Sequence, residues 1–145
     1  MLGRLYEGQD CSAARALELV GERWTLLILR DALFRGYTRF SQFRSSLDIA
    51  PNILSKRLND MVGSGLLERE PQASRPDNFC YEPTDMARDL LPVIIALTKW
   101  GDRWVRPGPA RLVHGDRDHE IELRLWCATC RATVGSADAH AVRRH

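Results

Sequence analysis

Apolar residues recur at helical spacing in several short blocks, and the breaks between blocks fall at glycine, proline and small polar residues. Ala13, Ala16, Leu17 and Val20 predict a short helix from Ser12 to Val20, capped by Ser12 and ended by Gly21. Trp24, Leu27, Ile28 and Ala32 predict a second helix from Trp24 to Leu33, stopped by Gly36; it is apolar on most sides, which places it in the core. Ser41 to Ser46 reads as a third, short helix with Thr38 or Ser41 as cap. After the turn SLDIA, Pro51 suits a first helical turn, and Ile53, Leu54, Leu58, Met61 and Val62 form the expected buried stripe of a fourth helix ending by Gly65. Leu66 to Glu70 and Phe79 to Glu82 then read as two strands joined by the loop PQASRPDN. A long helix follows from about Met86 to Trp104, capped by Thr84 or Asp85. Leu90, Leu91, Ile94, Leu97, Trp100 and Trp104 form its apolar face, and Pro92 predicts a kink.

This order predicts a mainly α fold with a small β-hairpin wing (α+β), a winged helix-turn-helix whose fourth helix is shaped to lie in a DNA groove. Residues 1–105 would form the DNA-binding and dimerisation domain. Residues 106–145 open on two prolines and a glycine and then alternate Ile121, Leu123 and Leu125, which predicts a linker and a small ribbon-like, β-rich appendage with a polar tail. A single winged helix has little to cover the apolar face of the long helix, so a homodimer through the first and long C-terminal helices is expected.

At 145 residues, 44% hydrophobic and 28% charged, the chain suffices for one compact domain and is short for two. No apolar run approaches the ~20 residues that span a bilayer, and MLGRLYEGQD lacks a secretory layout, so a cytoplasmic protein without a membrane partner is expected. The net charge of +2 says little alone. Its distribution says more, because nine Lys or Arg stand against five acids between Arg23 and Arg75. On the fourth helix, Asn52, Ser55 and Lys56 are the candidates for base-edge contacts and Arg57 for a phosphate. Ser41 and Gln42, at the start of the preceding helix, are candidates for a phosphate held by backbone N–H groups, and Arg75 on the wing for a minor groove or flanking backbone. For each basic residue the plainer reading is a solvated surface charge. A dimer would present two such helices about 34 Å apart to double-stranded DNA, which predicts an inverted-repeat operator.

Cys11 precedes the first helix, where the helix dipole and Arg15 one turn away would favour a thiolate; the plainer reading is a small hydrophobe at a dimer interface. Cys80, between Phe79 and Tyr81, reads as structural. The WCATC segment is superficially a disulfide oxidoreductase motif, but only fifteen residues follow Cys130, too few for the helix and sheet such a fold needs. Zinc held by Cys127, Cys130, His114 and His119, a local disulfide between Cys127 and Cys130, and inert thiols stay open as alternatives. No catalytic base stands at a recognisable spacing from a nucleophile, and no phosphate-cradling glycine loop occurs, so no enzyme is expected. A protein-interaction adaptor is the alternative to DNA binding, and the polar, basic fourth helix favours DNA.

Several segments together resemble the HxlR family of bacterial transcriptional regulators: C11-S-A-A-R-A-L-E-L-V-G-E-R-W, R39-F-S-Q-F-R, I49-A-P-N-I-L-S-K-R-L, G65-L-L-E-R, R75-P, L90-L-P-V and K99-W-G. The likeness runs in unbroken order from Cys11 to Trp104, with departures after the wing at Tyr81-Glu82-Pro83-Thr84 and Ala87. It implies a homodimeric winged helix-turn-helix that binds palindromic promoter DNA, with no cofactor required. In several members a cysteine near the N-terminus responds to oxidants or electrophiles, the role this implies for Cys11. A small hydrophobic effector between Trp24, Trp100 and Trp104 is a further expectation, against the plainer reading of these residues as core.

Overall fold

The computed structural model describes residues 6–144. Among the described residues, six helices and three small antiparallel hairpins form two compact units, the first running to Ile94 and the second starting at Ile95.

In the first unit, α1 (Ser12–Val20) is capped by Cys11 rather than Ser12: the Cys11 Sγ accepts the Ala14 N–H at 3.3 Å. It buries Ala14 and Val20, while Ala13, Ala16 and Leu17, the expected core stripe, are exposed. α2 (Thr25–Arg35) is the central core helix and ends at Gly36, whose φ of +64° is the left-handed cap that glycine adopts without strain. α3 (Phe40–Leu47) and α4 (Pro51–Gly63) follow, and the intervening turn buries Ile49. The end of α4 is a Schellman motif: Leu66 N–H donates to Met61 C=O at 2.9 Å and Gly65 N–H to Val62 C=O at 3.2 Å, with Gly65 at φ +84°. That reversal aims the chain directly into the wing.

The wing, β1 (Leu67–Gln72) and β2 (Arg75–Pro83), is longer than expected. Six cross-strand pairs run from Leu67 opposite Pro83 to Gln72 opposite Arg75, so the projected loop is mostly strand, with a bulge beside Pro71 and a tip at Ala73 and Ser74. The segment before α3 adds to the sheet: Tyr81 N–H donates to Thr38 C=O at 2.8 Å and Arg39 bridges Cys80. Ile28, Leu29, Phe43, Leu54, Leu58, Leu66 and Leu67 close the core with almost no exposure.

The long helix expected from Met86 to Trp104 is two helices, α5 (Asp85–Arg88) and α6 (Leu91–Trp104). Proline accounts for the break: in a continuous helix Pro92 would offer no N–H to the Arg88 carbonyl and its ring would collide with that group. The chain therefore stops at Arg88, and Pro92 falls in the first turn of α6, where its lack of an N–H costs nothing. Thr84 caps α5 and donates its hydroxyl to the Gly65 C=O at 2.6 Å, tying hairpin exit to hairpin entry.

The second unit continues α6 and adds β3–β4 (Val113–His114 with His119–Glu120) and β5–β6 (Trp126–Cys127 with Ala132–Thr133). Ile121, Leu123 and Leu125, expected as a strand, lie between these hairpins and only extend their ends: Ile121 N–H donates to Leu112 C=O at 3.0 Å, and Leu125 C=O accepts the Val134 N–H at 2.8 Å.

Candidate nucleic-acid interface

The interface is set by which side of α4 the core takes. Leu54, Leu58 and Met61 are buried, leaving Asn52, Ser55, Lys56 and Asn59 exposed on the other faces. Ile53, expected in the buried stripe, is 41% exposed. Adjacent Leu54 takes the core, and a neighbour one residue away on a helix points about 100° from it. The outer surface of α4 therefore joins amide, hydroxyl and ammonium donors to one aliphatic side chain. That is the mixture a major groove accepts, since thymine methyls offer apolar contact beside the base-edge hydrogen bonds.

Lys56 is exposed, and its Nζ lies 3.1 Å from the Asp60 carboxylate one turn on. Burial pushes the Asp60 carboxyl up, but the hydrogen bond and charge of Lys56, and then the charge of Arg57, bring it below its ordinary value. Arg57, expected on a phosphate, faces inward: its Nε lies 3.5 Å from Glu22 and its Nη1 3.3 Å from Asp60. Nε is buried without a well-aligned hydrogen bond, so Glu22 holds it as an ion pair. Glu22 also accepts the Trp24 N–H at 2.9 Å, anchoring the start of α2 to the middle of α4. Arg57 thus fixes the helix that Asn52, Ser55 and Lys56 ride on, a position that a count of basic residues cannot distinguish from a DNA contact.

Ser41 is exposed at the second position of α3, where the helix leaves its first N–H groups without intrahelical acceptors. Gln42 is engaged with its own chain: its Oε1 accepts the N–H groups of both Thr38 and Arg39 at 3.0 Å. Its Nε2 is the group it retains for a phosphate. Arg75 is exposed at the wing tip and makes no ion pair among the described residues. Between the start of α3 and the wing lies a cleft of about 650 Å³, whose lining includes Arg39, Ser41, Ser74, Arg75, Asn78 and one acid, Asp77. Arg39 joins the cationic side of this cleft without having stood out in the sequence.

Asp31 is another residue that composition conceals. It is fully buried, accepts from Ser46 Oγ at 2.6 Å, and pairs with Arg30 at 2.8 Å and Arg35 at 3.7 Å. Arg35 also donates to Ser46 at 3.0 Å, so the network clamps α2 to α3 and fixes the helix-turn-helix angle.

The cysteines stand apart. Cys11 is exposed at the cap of α1, while Arg15, expected to lend it positive charge, is paired with Glu18 at 2.8 Å. Cys80 is half-buried in β2 opposite Glu70. The four residues proposed for zinc form two separate pairs. His114 faces His119 across β3–β4, with ring centroids 5.7 Å apart, and Cys127 and Cys130 flank the β5–β6 turn. Among the described residues no three His, Cys, Asp or Glu are grouped to hold a metal ion.

The pattern of the HxlR-like helix-turn-helix family matches residues 19–109. The uncharacterised helix-turn-helix-type transcriptional regulator Rv3095 of Mycobacterium tuberculosis is 44% identical over 132 residues, 89% of this chain and 82% of that protein. Two solved structures, each described as a candidate transcription factor, share the architecture. PA1607 has a TM-score of 0.85 and 32% identity, covering 95% of this chain and 98% of that one. PA1374 of Pseudomonas aeruginosa has a TM-score of 0.67 and 39% identity, covering 92% of each. With the helix-turn-helix clamped at Asp31, a largely polar α4 surface and an exposed arginine at the wing tip all in place, the chain belongs to the HxlR family of DNA-binding, helix-turn-helix transcriptional regulators.

Proposed function

We propose that this regulator acts as a homodimer that lays its two α4 helices in successive major grooves of an inverted-repeat operator. The exposed row Asn52, Ile53, Ser55 and Lys56, on a helix whose opposite face is fully buried, is the observation that carries the reading. Asn52 and Ser55 would read base edges, with Lys56 at a base edge or the adjacent phosphate. The Ser41 N–H and hydroxyl with the Gln42 Nε2 would hold a phosphate, and Arg75 would reach the flanking minor groove. Arg57 contributes by holding α4 in place.

The dimer reading rests on two exposed apolar faces: Ala13, Ala16 and Leu17 on α1, and Leu97, Trp100 and Trp104 on α6, where Trp100 is 58% and Trp104 64% exposed. The reading calls for no cofactor. Cys11, exposed and seated on the first N–H groups of α1, is the position at which an oxidant or electrophile would act: its modification removes the cap and alters α1 at the interface.

Fluorescence anisotropy with the DNA upstream of the protein's own gene, over a salt series, tests both parts. Selective binding that falls steeply with salt, and weakens after mild oxidation in the wild type but not in Cys11→Ser, is the expected result. Binding indifferent to oxidation removes the Cys11 switch and keeps the regulator. Binding without sequence preference at every salt concentration removes the operator reading.

A further inference from the structure

The second unit carries a dithiol that DNA binding does not use. Cys127 closes β5 and Cys130 lies in the tight turn after it, so the register Cys127 opposite Ala132 and Trp126 opposite Thr133 brings the two thiols together at the hairpin end. The backbone N–H of Cys130 points at the Cys127 Sγ at 3.4 Å, and Arg131, in the left-handed region at φ +53°, holds the turn in that shape. Cys130 is exposed and Cys127 only half-buried, so small solutes reach both.

We propose that Cys127 and Cys130 form a peroxide-oxidisable dithiol, in which the Cys127 sulfur attacks and Cys130 resolves. The two positions are not equivalent. Cys127 receives the Cys130 N–H, the Cys130 thiol and the Thr129 N–H, all of which stabilise negative charge on its sulfur and hold its thiol below the ordinary value. Cys130 supplies that N–H, and the turn sets its own thiol beside the sulfur it must later join. In the first step the Cys127 thiolate attacks hydrogen peroxide: the O–O bond breaks, an S–O bond forms, and hydroxide leaves, becoming water with the proton that Cys127 gave up on ionising. Cys127 is now a sulfenic acid, its sulfur oxidised by two electrons and the peroxide reduced by two. In the second step Cys130, as thiolate, attacks the Cys127 sulfur. The S–S bond forms, the S–O bond breaks, and the oxygen leaves as water with the proton that Cys130 gave up.

A zinc reading of the same pair is weaker on the donor set. A structural zinc takes four ligands, and among the described residues no third His, Cys, Asp or Glu is grouped with the two thiols. The dithiol also differs from Cys11 in kind. Cys11 is a single thiol capping a helix, whereas this pair holds both the attacking and the resolving sulfur and can complete its oxidation within one chain.

The sequence supplies a clean readout, because trypsin releases Leu125 to Arg131 as one peptide carrying both cysteines and neither of the others. The full-length protein is treated with increasing hydrogen peroxide, alkylated, digested and read by mass spectrometry. The expected result is a peptide that loses two hydrogens, resists alkylation and regains two alkylatable thiols with dithiothreitol. In Cys130→Ser the intermediate should persist as a sulfenic acid on Cys127, trapped by dimedone. In Cys127→Ser the remaining Cys130 should oxidise roughly tenfold more slowly than Cys127 does in Cys130→Ser. The proposal is overturned if the peptide stays doubly alkylated while the urea-unfolded chain forms the bond, or if Cys130 proves the faster thiol. It is equally overturned if the disulfide joins Cys11, Cys80 or a second chain, or if the purified protein contains zinc and the pair reacts only after chelation.

Discussion

The two units of this chain handle apolar surface in opposite ways. In the first, α2, α3, α4 and the wing bury Ile28, Leu29, Phe43, Leu54 and Leu58 to zero exposure, and the remaining surface is polar around α4. In the second, Leu97, Trp100, Trp104 and Val105 are all more than half exposed, and each hairpin is only two residues deep. A strand pair that short presents one side chain per face and cannot cover a tryptophan. The first unit thus has the core of a self-sufficient domain, whereas the second carries an apolar surface that a second copy would cover. The segregation fits the dimer proposed above, because the exposed surface of α4 is polar apart from Ile53 while Trp100 and Trp104 are exposed on α6.

The contrast breaks most sharply at the largest fully buried side chain. Phe43→Ala removes a ring from a site with no exposure and should lower the stability of the folded protein by about 3–5 kcal/mol, read as a shift in the chemical-denaturation midpoint. On the other side of the comparison, Trp100→Ala should leave a monomer's unfolding almost unchanged and weaken the homodimer by about 2 kcal/mol or more, read by analytical ultracentrifugation over a dilution series. A monomeric wild type, or a dimer unaffected by Trp100→Ala, would remove α6 from the interface.

The helices and their order were legible because the apolar period and its breakers sit close together in sequence. What was not legible depended on contacts between distant residues. The buried face of α1 is Ala14 and Val20 rather than Ala13, Ala16 and Leu17, because periodicity identifies a stripe without saying whether this core or another surface receives it. Ile53 and Leu54 are adjacent apolar residues, and only the position of the core decides between them. Pro92 suggested a kink where the chain places a helix start, a difference that rests on Arg88 ending α5 four residues earlier. Arg57 and Asp31 went unread as structural because their partners, Glu22 and Ser46, lie 35 and 15 residues away. The exposure of Asn52, Ser55 and Lys56 was readable, since Pro51 fixes the start of α4 and thereby which side chains share a face. Arg39, brought to the cleft that Arg75 lines only by its bridge to Cys80 of β2, was not.

Within the polar unit, Asn52→Ala should separate sequence reading from general DNA affinity. An amide paired to a base edge contributes about 1–3 kcal/mol of discrimination, so the variant should lose selective binding while its affinity for unrelated duplex stays within a factor of two or so. Equal losses on both duplexes would assign Asn52 to the backbone instead.

The smallest expected effect on stability accompanies a clear effect on binding, at Lys56. Its pair with Asp60 is exposed and one helical turn apart, so Lys56→Ala should cost only about 0.2–0.5 kcal/mol of folding free energy. Losing the ammonium should also raise the Asp60 carboxyl toward its ordinary value. Asp60 is lowered in the folded chain, so the stability it contributes is present above the ordinary carboxylate value of 3.8 and lost as the pH falls through its folded value. In the variant that acid-side loss should begin at the same pH, be complete at a higher pH and be smaller in total. If Lys56 lies against a phosphate, the slope of binding against salt should fall by about one counterion while sequence preference is retained. If it reads a base, preference at one position should relax together with the slope. An unchanged salt slope would leave Lys56 as a helix-surface ion pair alone and move the electrostatic contact to the wing, where Arg39 and Arg75 line the cleft.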